Sequence, residues 1–197
     1  VIYLASQSPR RGELLRQIGV DYTPITALST YAVVDETPES GEVADEYVLR
    51  LARAKAQAGV VAMVAQGLVS YPVLGADTTV LCQGRLLGKP QDRSEAEAML
   101  TQLSGRSHQV LTAVAVSSLV RSVSQVVSST VWFQALSAAD IERYVDRGES
   151  MDKAGAYAVQ GLAAAFINRI EGSYSGIMGL PLAETADLLR QHGILVP

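Results

Sequence analysis

The chain has 197 residues, 48% of them hydrophobic, and a formal net charge of −4. That length suits one α/β domain or two small lobes sharing a sheet, with ample apolar material for a core. The acidic balance and the lack of a basic tract exclude broad nucleic-acid binding, which needs cations to neutralise a row of phosphates.

Apolar runs such as 60–65 and 162–167 fall far short of the ~20 residues needed to cross a bilayer, so no membrane partner is expected. A single cysteine, Cys82, has no partner within the chain and fits a reducing, cytoplasmic setting. A strand is expected almost from Val1, so no signal peptide is expected there.

Ile2 to Ser6 reads as a short buried strand. Ser8 then suits an N-cap and Pro9 the first helical residue, with Leu14, Leu15 and Ile18 as the apolar stripe and Gly19 as the stop. Strand, tight turn and helix point backbone N–H groups at an anion. Arg10 and Arg11 in the first turn oppose the helix dipole by roughly 0.3–1 kcal/mol each. Either they help hold an anion there, with the hydroxyls and N–H groups, or they are simply solvated.

Residues 21–41 are polar and irregular, and the adjacent carboxylates Asp35 and Glu36 suit a metal ligand or a solvated turn. A helix is expected from Glu42 to about Gln66, with Val43, Tyr47, Leu51, Ala54, Ala58 and Val61 on one face. Lys55 lies at the edge of that face, where it either snorkels or reaches a site at the sheet.

Pro72 suits the start of a strand running to Cys82. Asp77 lies in its middle, and an ionised carboxylate is rarely buried there unless paired or metal-bound. The alternative is an Asp satisfied by backbone N–H groups. Gly75 suggests a bulge or a close ligand approach. Gln83 and Gly84 read as a hairpin turn with Cys82 facing Arg85; counting back sets Lys89 across from Thr78, one residue from Asp77 along the ladder.

Ser94 to Glu97 reads as a capping box opening a helix over Met99, Leu100 and Leu103, closed by Gly105. Two alternating strands follow at about 107–118 and 124–133, then a helix from Ser137 to Gly148. Residues 151–161 read as a loop lining a cleft, and Leu162 to Ile170 as a strand. Gly179 to Leu182 leads into a last helix that stops at Gly193.

The assembled candidates are Ser6, Ser8, Arg10, Arg11, Lys55, Lys89 and Lys153, with Glu36 and Asp77 on the anionic side. Several cations beside one or two carboxylates suit a polyphosphate bound with a divalent metal, Mg²⁺ or Mn²⁺. His108, at a strand start, and His192 default to surface roles. Cys82 is expected to be buried and unreactive. No Walker A or dinucleotide fingerprint is present.

Six motifs in order, Ser6-Gln7-Ser8-Pro9-Arg10-Arg11, Val48 to Ala56, Gly75-Ala76-Asp77-Thr78, Gly88-Lys89-Pro90, Asp152 to Tyr157 and Gly179-Leu180-Pro181-Leu182, resemble the Maf family of nucleoside triphosphate pyrophosphatases. The resemblance implies one domain over residues 1–197, two lobes around a central cleft. Its fold would be an elongated mixed β-sheet flanked by helices, as in inosine-triphosphate pyrophosphatases. It implies hydrolysis of dTTP, UTP or modified pyrimidine nucleotides to monophosphate and pyrophosphate. Carried over, Asp77 is the catalytic carboxylate, Ser8, Arg11, Lys55 and Lys89 meet phosphates, and Glu36 lies near the metal. Arg10, Thr78 and Gln160 match the three positions marking the dTTP/UTP branch, and a buried Gln160 amide suits the edge of uracil or thymine. Gln7 stands where the family more usually has a small residue. A nucleotide-binding regulator of septum formation or cell division with little turnover is the alternative. A purine house-cleaning enzyme is disfavoured by Thr78 and Gln160. A homodimer is left open.

Overall fold

Ile2-Tyr3-Leu4 is apolar on both faces and buried on both, as an interior parallel strand requires. This strand, β1 (Ile2–Leu4), pairs in parallel with β2 (Tyr22–Pro24) and with β3 (Val73–Cys82). The computed structural model describes residues 1–25 and 34–196. The remaining strands are β4 (Arg85–Leu87), β5 (Ser107–Ser117), β6 (Ser122–Phe133) and β7 (Ile167–Glu171). The described residues form a seven-stranded mixed sheet in the order β2-β1-β3-β5-β6-β7, with β4 antiparallel on β3 and β7 antiparallel on β6. The helices are α1 (Pro9–Gln17), α2 (Ala44–Ala65), α3 (Arg93–Leu103), α4 (Ala138–Asp146), α5 (Tyr174–Met178) and α6 (Leu182–Arg190).

The chain divides into two compact units, the first built from Val1–Asp77, Thr112–Val127 and Gly179–Pro197, the second from Thr78–Leu111 and Ser128–Met178. In the first, α2 lies against β1 and β3 through small residues. A Cβ on Gly59 would fall 2.6 Å from Val73 Cγ1, and one on Gly75 would fall 2.5 Å from the Ala56 nitrogen and 2.6 Å from the Ala52 oxygen. The missing side chain of Gly75 lets the helix backbone touch the strand. On α1, Gly12 leaves room for a side chain, since a Cβ there would fall 2.0 Å from Tyr22 Oη.

In the second unit, β3 and β4, α3, α4 and the 154–166 segment enclose a core that includes Leu100, Leu103, Phe133 and Tyr157. The β3–β4 register pairs Cys82 with Arg85, as expected from the Gln83-Gly84 turn, whose residues have φ of 51° and 75°.

Several expectations are corrected. Tyr22-Thr23-Pro24 is a strand, not irregular chain; of the expected irregular stretch, 26–33 lies outside the described residues. The buried face of α2 carries Val48, Leu51, Ala52, Ala56, Gly59 and Met63, whereas Val43 and Val61 are exposed. A run rich in alanine gives little periodic contrast, so the stripe reads rotated. The cap of α3 is Asp92, whose side chain accepts from the Glu95 N–H at 2.8 Å, two residues before the expected box opens. Leu162–Phe166 forms a 3₁₀ turn, and only Ile167–Glu171 is strand. α5 has no counterpart in the expected elements. His108 is buried at 3% exposure, its Nε2 2.8 Å from Tyr157 Oη, rather than a surface residue.

Candidate active site

Asp77 lies on β3 two residues beyond Gly75, on the same face of the strand. Gly75 brings α2 against that face at Ala52 and Ala56, and Lys55 sits between these on the helix. The result is a direct ion pair: Lys55 Nζ donates to Asp77 Oδ1 at 2.6 Å. The same ammonium meets Glu36 Oε1 at 2.6 Å, so two carboxylates converge on one lysine. Asp77 is 8% exposed, and Glu36 closes the cluster from the solvent side.

Glu36 is delivered by α2 as well. Tyr47 Oη donates to the Glu36 carbonyl at 2.9 Å, and Arg50 donates to the carbonyls of Asp35 and Thr37 at 3.3 and 3.1 Å. Arg50 is itself fixed by Glu42, at 2.6 and 2.8 Å. Tyr47, Arg50 and Lys55 thus line one side of α2 and gather the acidic segment onto it.

The turn after β1 supplies the cations. The Leu4–Leu74 register and the Ala5 N–H to Leu74 carbonyl bond at 2.8 Å carry Ser6 toward the middle of β3. Ser6 Oγ accepts from the Ser8 N–H at 3.2 Å and from Arg11 Nη1 at 3.1 Å. Ser8 is the N-cap of α1, yet its hydroxyl makes no capping bond, unlike the expected cap. Arg11 also donates through Nε to the Gly179 carbonyl at 2.8 Å, tying the turn to the segment before α6. Burial lowers the Arg11 pKa, with Arg10 adding to that and Asp77 and Glu36 opposing it. The guanidinium therefore shares one electrostatic field with the carboxylate pair.

Burial pushes the Asp77 carboxyl above the ordinary Asp range, against the opposing pull of Lys55 and Arg11; Glu36 adds to the rise. A buried carboxylate with a raised pKa, held by a lysine, is suited to take a proton from water. The donor set also fits a hard divalent cation. Glu36 and Asp77 offer oxygens only, and Mg²⁺ binds through one or two carboxylates with waters and phosphates completing its shell. No group of three or more His, Cys, Asp or Glu able to hold a metal occurs among the described residues.

The family described as Maf-like protein matches residues 1–192. The chain belongs to the Maf family. A "dTTP/UTP pyrophosphatase" of Bordetella avium is 54% identical to this Maf chain over 196 residues, covering 100% of it and 97% of the relative. One of Aromatoleum aromaticum with the same name is 54% identical over 196 residues, covering 98% and 95%. The solved Staphylococcus aureus Ham1 protein overlays 66% of this chain and 69% of its own with TM-score 0.44 and 18% identity.

Of the expected Maf site residues, Ser6, Ser8, Arg10, Arg11, Glu36, Lys55 and Asp77 fall in the first unit. Thr78, Lys89, Lys153 and Gln160 fall in the second. The β3–β4 ladder ends at Val80–Leu87, so it does not set Lys89 across from Thr78 as counting along the hairpin suggested. Lys89 is exposed and follows Gly88, whose carbonyl accepts from the Gly155 N–H at 3.0 Å. Lys153 pairs with its neighbour Asp152. Gln160 is exposed at the tip of a turn closed by the Gly161 N–H on the Ala158 carbonyl at 3.0 Å, and is not the expected buried amide. Tyr47 was read only as part of the apolar helix face, and Arg50 was given no role of its own. The signal available was their place on the helix eight and five residues ahead of Lys55, beside an Asp-Glu pair.

Proposed function

We propose that this Maf chain is a metal-dependent nucleoside triphosphate pyrophosphatase that hydrolyses dTTP and UTP to the monophosphate and pyrophosphate. The observation that carries the reading is the buried Asp77, paired to Lys55 and joined by Glu36, beside a serine- and arginine-bearing turn. Such an arrangement favours turnover over binding alone, because a regulator has little use for a base poised among cations. The names of the Bordetella and Aromatoleum relatives support the choice of nucleotide.

Hydrolysis of this kind breaks the bridge between the α- and β-phosphates. Asp77, ionised, accepts the proton of the attacking water, and Lys55 holds its carboxylate oriented. Glu36 and Asp77 would hold Mg²⁺ or Mn²⁺, which when bound supplies charge neutralisation to the phosphate oxygens. Ser6, Ser8, Arg10 and Arg11 offer hydroxyl and guanidinium donors to phosphate. The family resemblance assigns Lys89 to phosphate, and Thr78 and Gln160 to the choice of base.

The test is a panel of UTP, dTTP, CTP and GTP with pyrophosphate detection, with Mg²⁺, with Mn²⁺ and with chelator. The expected result is pyrophosphate from UTP and dTTP in metal only. Release of inorganic phosphate instead, or GTP turned over as fast as UTP, contradicts the reading.

A further inference from the structure

Gln160 is exposed, yet the backbone on either side of it is held. The Ala158 N–H donates to Tyr144 Oη at 3.2 Å, and the Leu162 N–H donates to Glu149 Oε2 at 3.0 Å. The backbone is thus held two residues before Gln160 by Tyr144 on α4 and two residues after it by Glu149, just beyond the end of that helix. Gly161 is part of the fit, because a Cβ there would fall 1.9 Å from Glu149 Oε1. Upstream, Gly155 and Ala156 both have positive φ, 68° and 62°, and for alanine that conformation is strained. A surface loop that served only as a connection would have no need of a strained residue and of two side chains, Tyr144 and Glu149, each holding one of its N–H groups.

We propose that Tyr144 and Glu149 are positioning residues for nucleobase choice, clamping the 158–162 backbone so that the Gln160 side chain projects from a fixed point of its turn. The inference rests on the reading above that Gln160 meets the base. A reading group whose backbone shifts by about 1 Å loses the geometry on which its preference between bases depends. Neither Tyr144 nor Glu149 touches the nucleotide in this scheme.

The experiment measures kcat and KM for UTP and CTP with Mg²⁺ in the full chain, for wild type, Gln160→Leu, Tyr144→Phe, Glu149→Gln, and each of the last two combined with Gln160→Leu. Thermal melting accompanies every variant. Tyr144 is a core residue, so Glu149→Gln, at a partly exposed position, keeps the test readable if Tyr144→Phe loses stability. Misplacing a positioning group costs up to about 10²-fold, so each single variant is expected to lower the UTP-to-CTP ratio of kcat/KM about 10-fold. The change should come mainly through KM for UTP, and neither variant should lower the ratio further in the Gln160→Leu background.

Folded variants with an unchanged ratio overturn the proposal, as do equal losses for both nucleotides or a loss that adds fully to Gln160→Leu. A Gln160→Leu protein that keeps the full preference for UTP overturns the base-reading role itself. That outcome is distinct from failure of the clamp, in which Gln160→Leu loses the preference while Tyr144→Phe and Glu149→Gln keep it.

Discussion

Asp77 and Lys55 act against each other's environment at 2.6 Å. Burial favours a neutral Asp77, and the ammonium, by its charge and its hydrogen bond, favours the carboxylate. Lys55→Met removes the largest influence that keeps Asp77 ionised, so its pKa should rise further. A base must be deprotonated to act, and the acid limb of the kcat/KM profile should therefore move to higher pH. Loss of a charge-assisted bond, roughly 1.5–3 kcal/mol, sets the accompanying fall at about 10- to 150-fold at the optimum. A pH–rate profile parallel to wild type would contradict the pairing. His108 makes a second prediction. Burial lowers its pKa from 6.5 to about 4, so between these values the unfolded chain takes up a proton that the folded chain refuses. Its contribution is fully present above pH 6.5 and is lost as pH falls toward 4, by up to about 3 kcal/mol. Urea denaturation of wild type and His108→Gln across that window should show the difference in pH slope; equal slopes would refute it. Asp77 titrates in both proteins and cancels from the comparison.

At the scale of elements, the centre depends on how closely α2 approaches β3. Gly75→Ala places a methyl against backbone atoms of Ala52 and Ala56, which cannot rotate away. The helix must shift, at a cost of about 1–3 kcal/mol, or about 2–4 °C of Tm per kcal/mol for a chain of this size. Lys55 and Glu36 travel with α2, so activity should fall by more than the stability change alone explains. Wild-type stability and turnover in Gly75→Ala would show that the contact positions nothing. The same contact marks where sequence reading ends. The Gln83-Gly84 hairpin and the helix start at Ser137 were legible because their chemistry is local, and both are observed. The meaning of Gly75 was not, because its partners lie some twenty residues back on another element. β2 was missed because three residues ending in proline carry no strand pattern. Leu162–Phe166 read as strand because a short apolar run has no period of its own. Asp77, Lys55 and Glu36 were each legible as candidates, yet only the structure shows one lysine holding both carboxylates. Gln160 read as a buried amide on the strength of the family resemblance; the turn it occupies lifts it into solvent.

For the whole molecule, the proposed catalytic side chains Asp77, Lys55 and Glu36 all belong to the unit that begins at Val1, while Gln160 and the residues proposed to hold its turn belong to the other. Chemistry and base choice should therefore separate under mutation: variants of the first set abolish turnover for every nucleotide, and variants of the second change which nucleotide is preferred. The most direct test of the central claim is pyrophosphate release from UTP with Mg²⁺ by wild type and by Asp77→Asn, an exchange that keeps shape and removes the base. Loss of a positioned base costs about 10²–10⁴-fold. The account predicts an Asp77→Asn protein with wild-type circular dichroism and turnover reduced by at least that lower bound. A folded Asp77→Asn protein releasing pyrophosphate at the wild-type rate would contradict it.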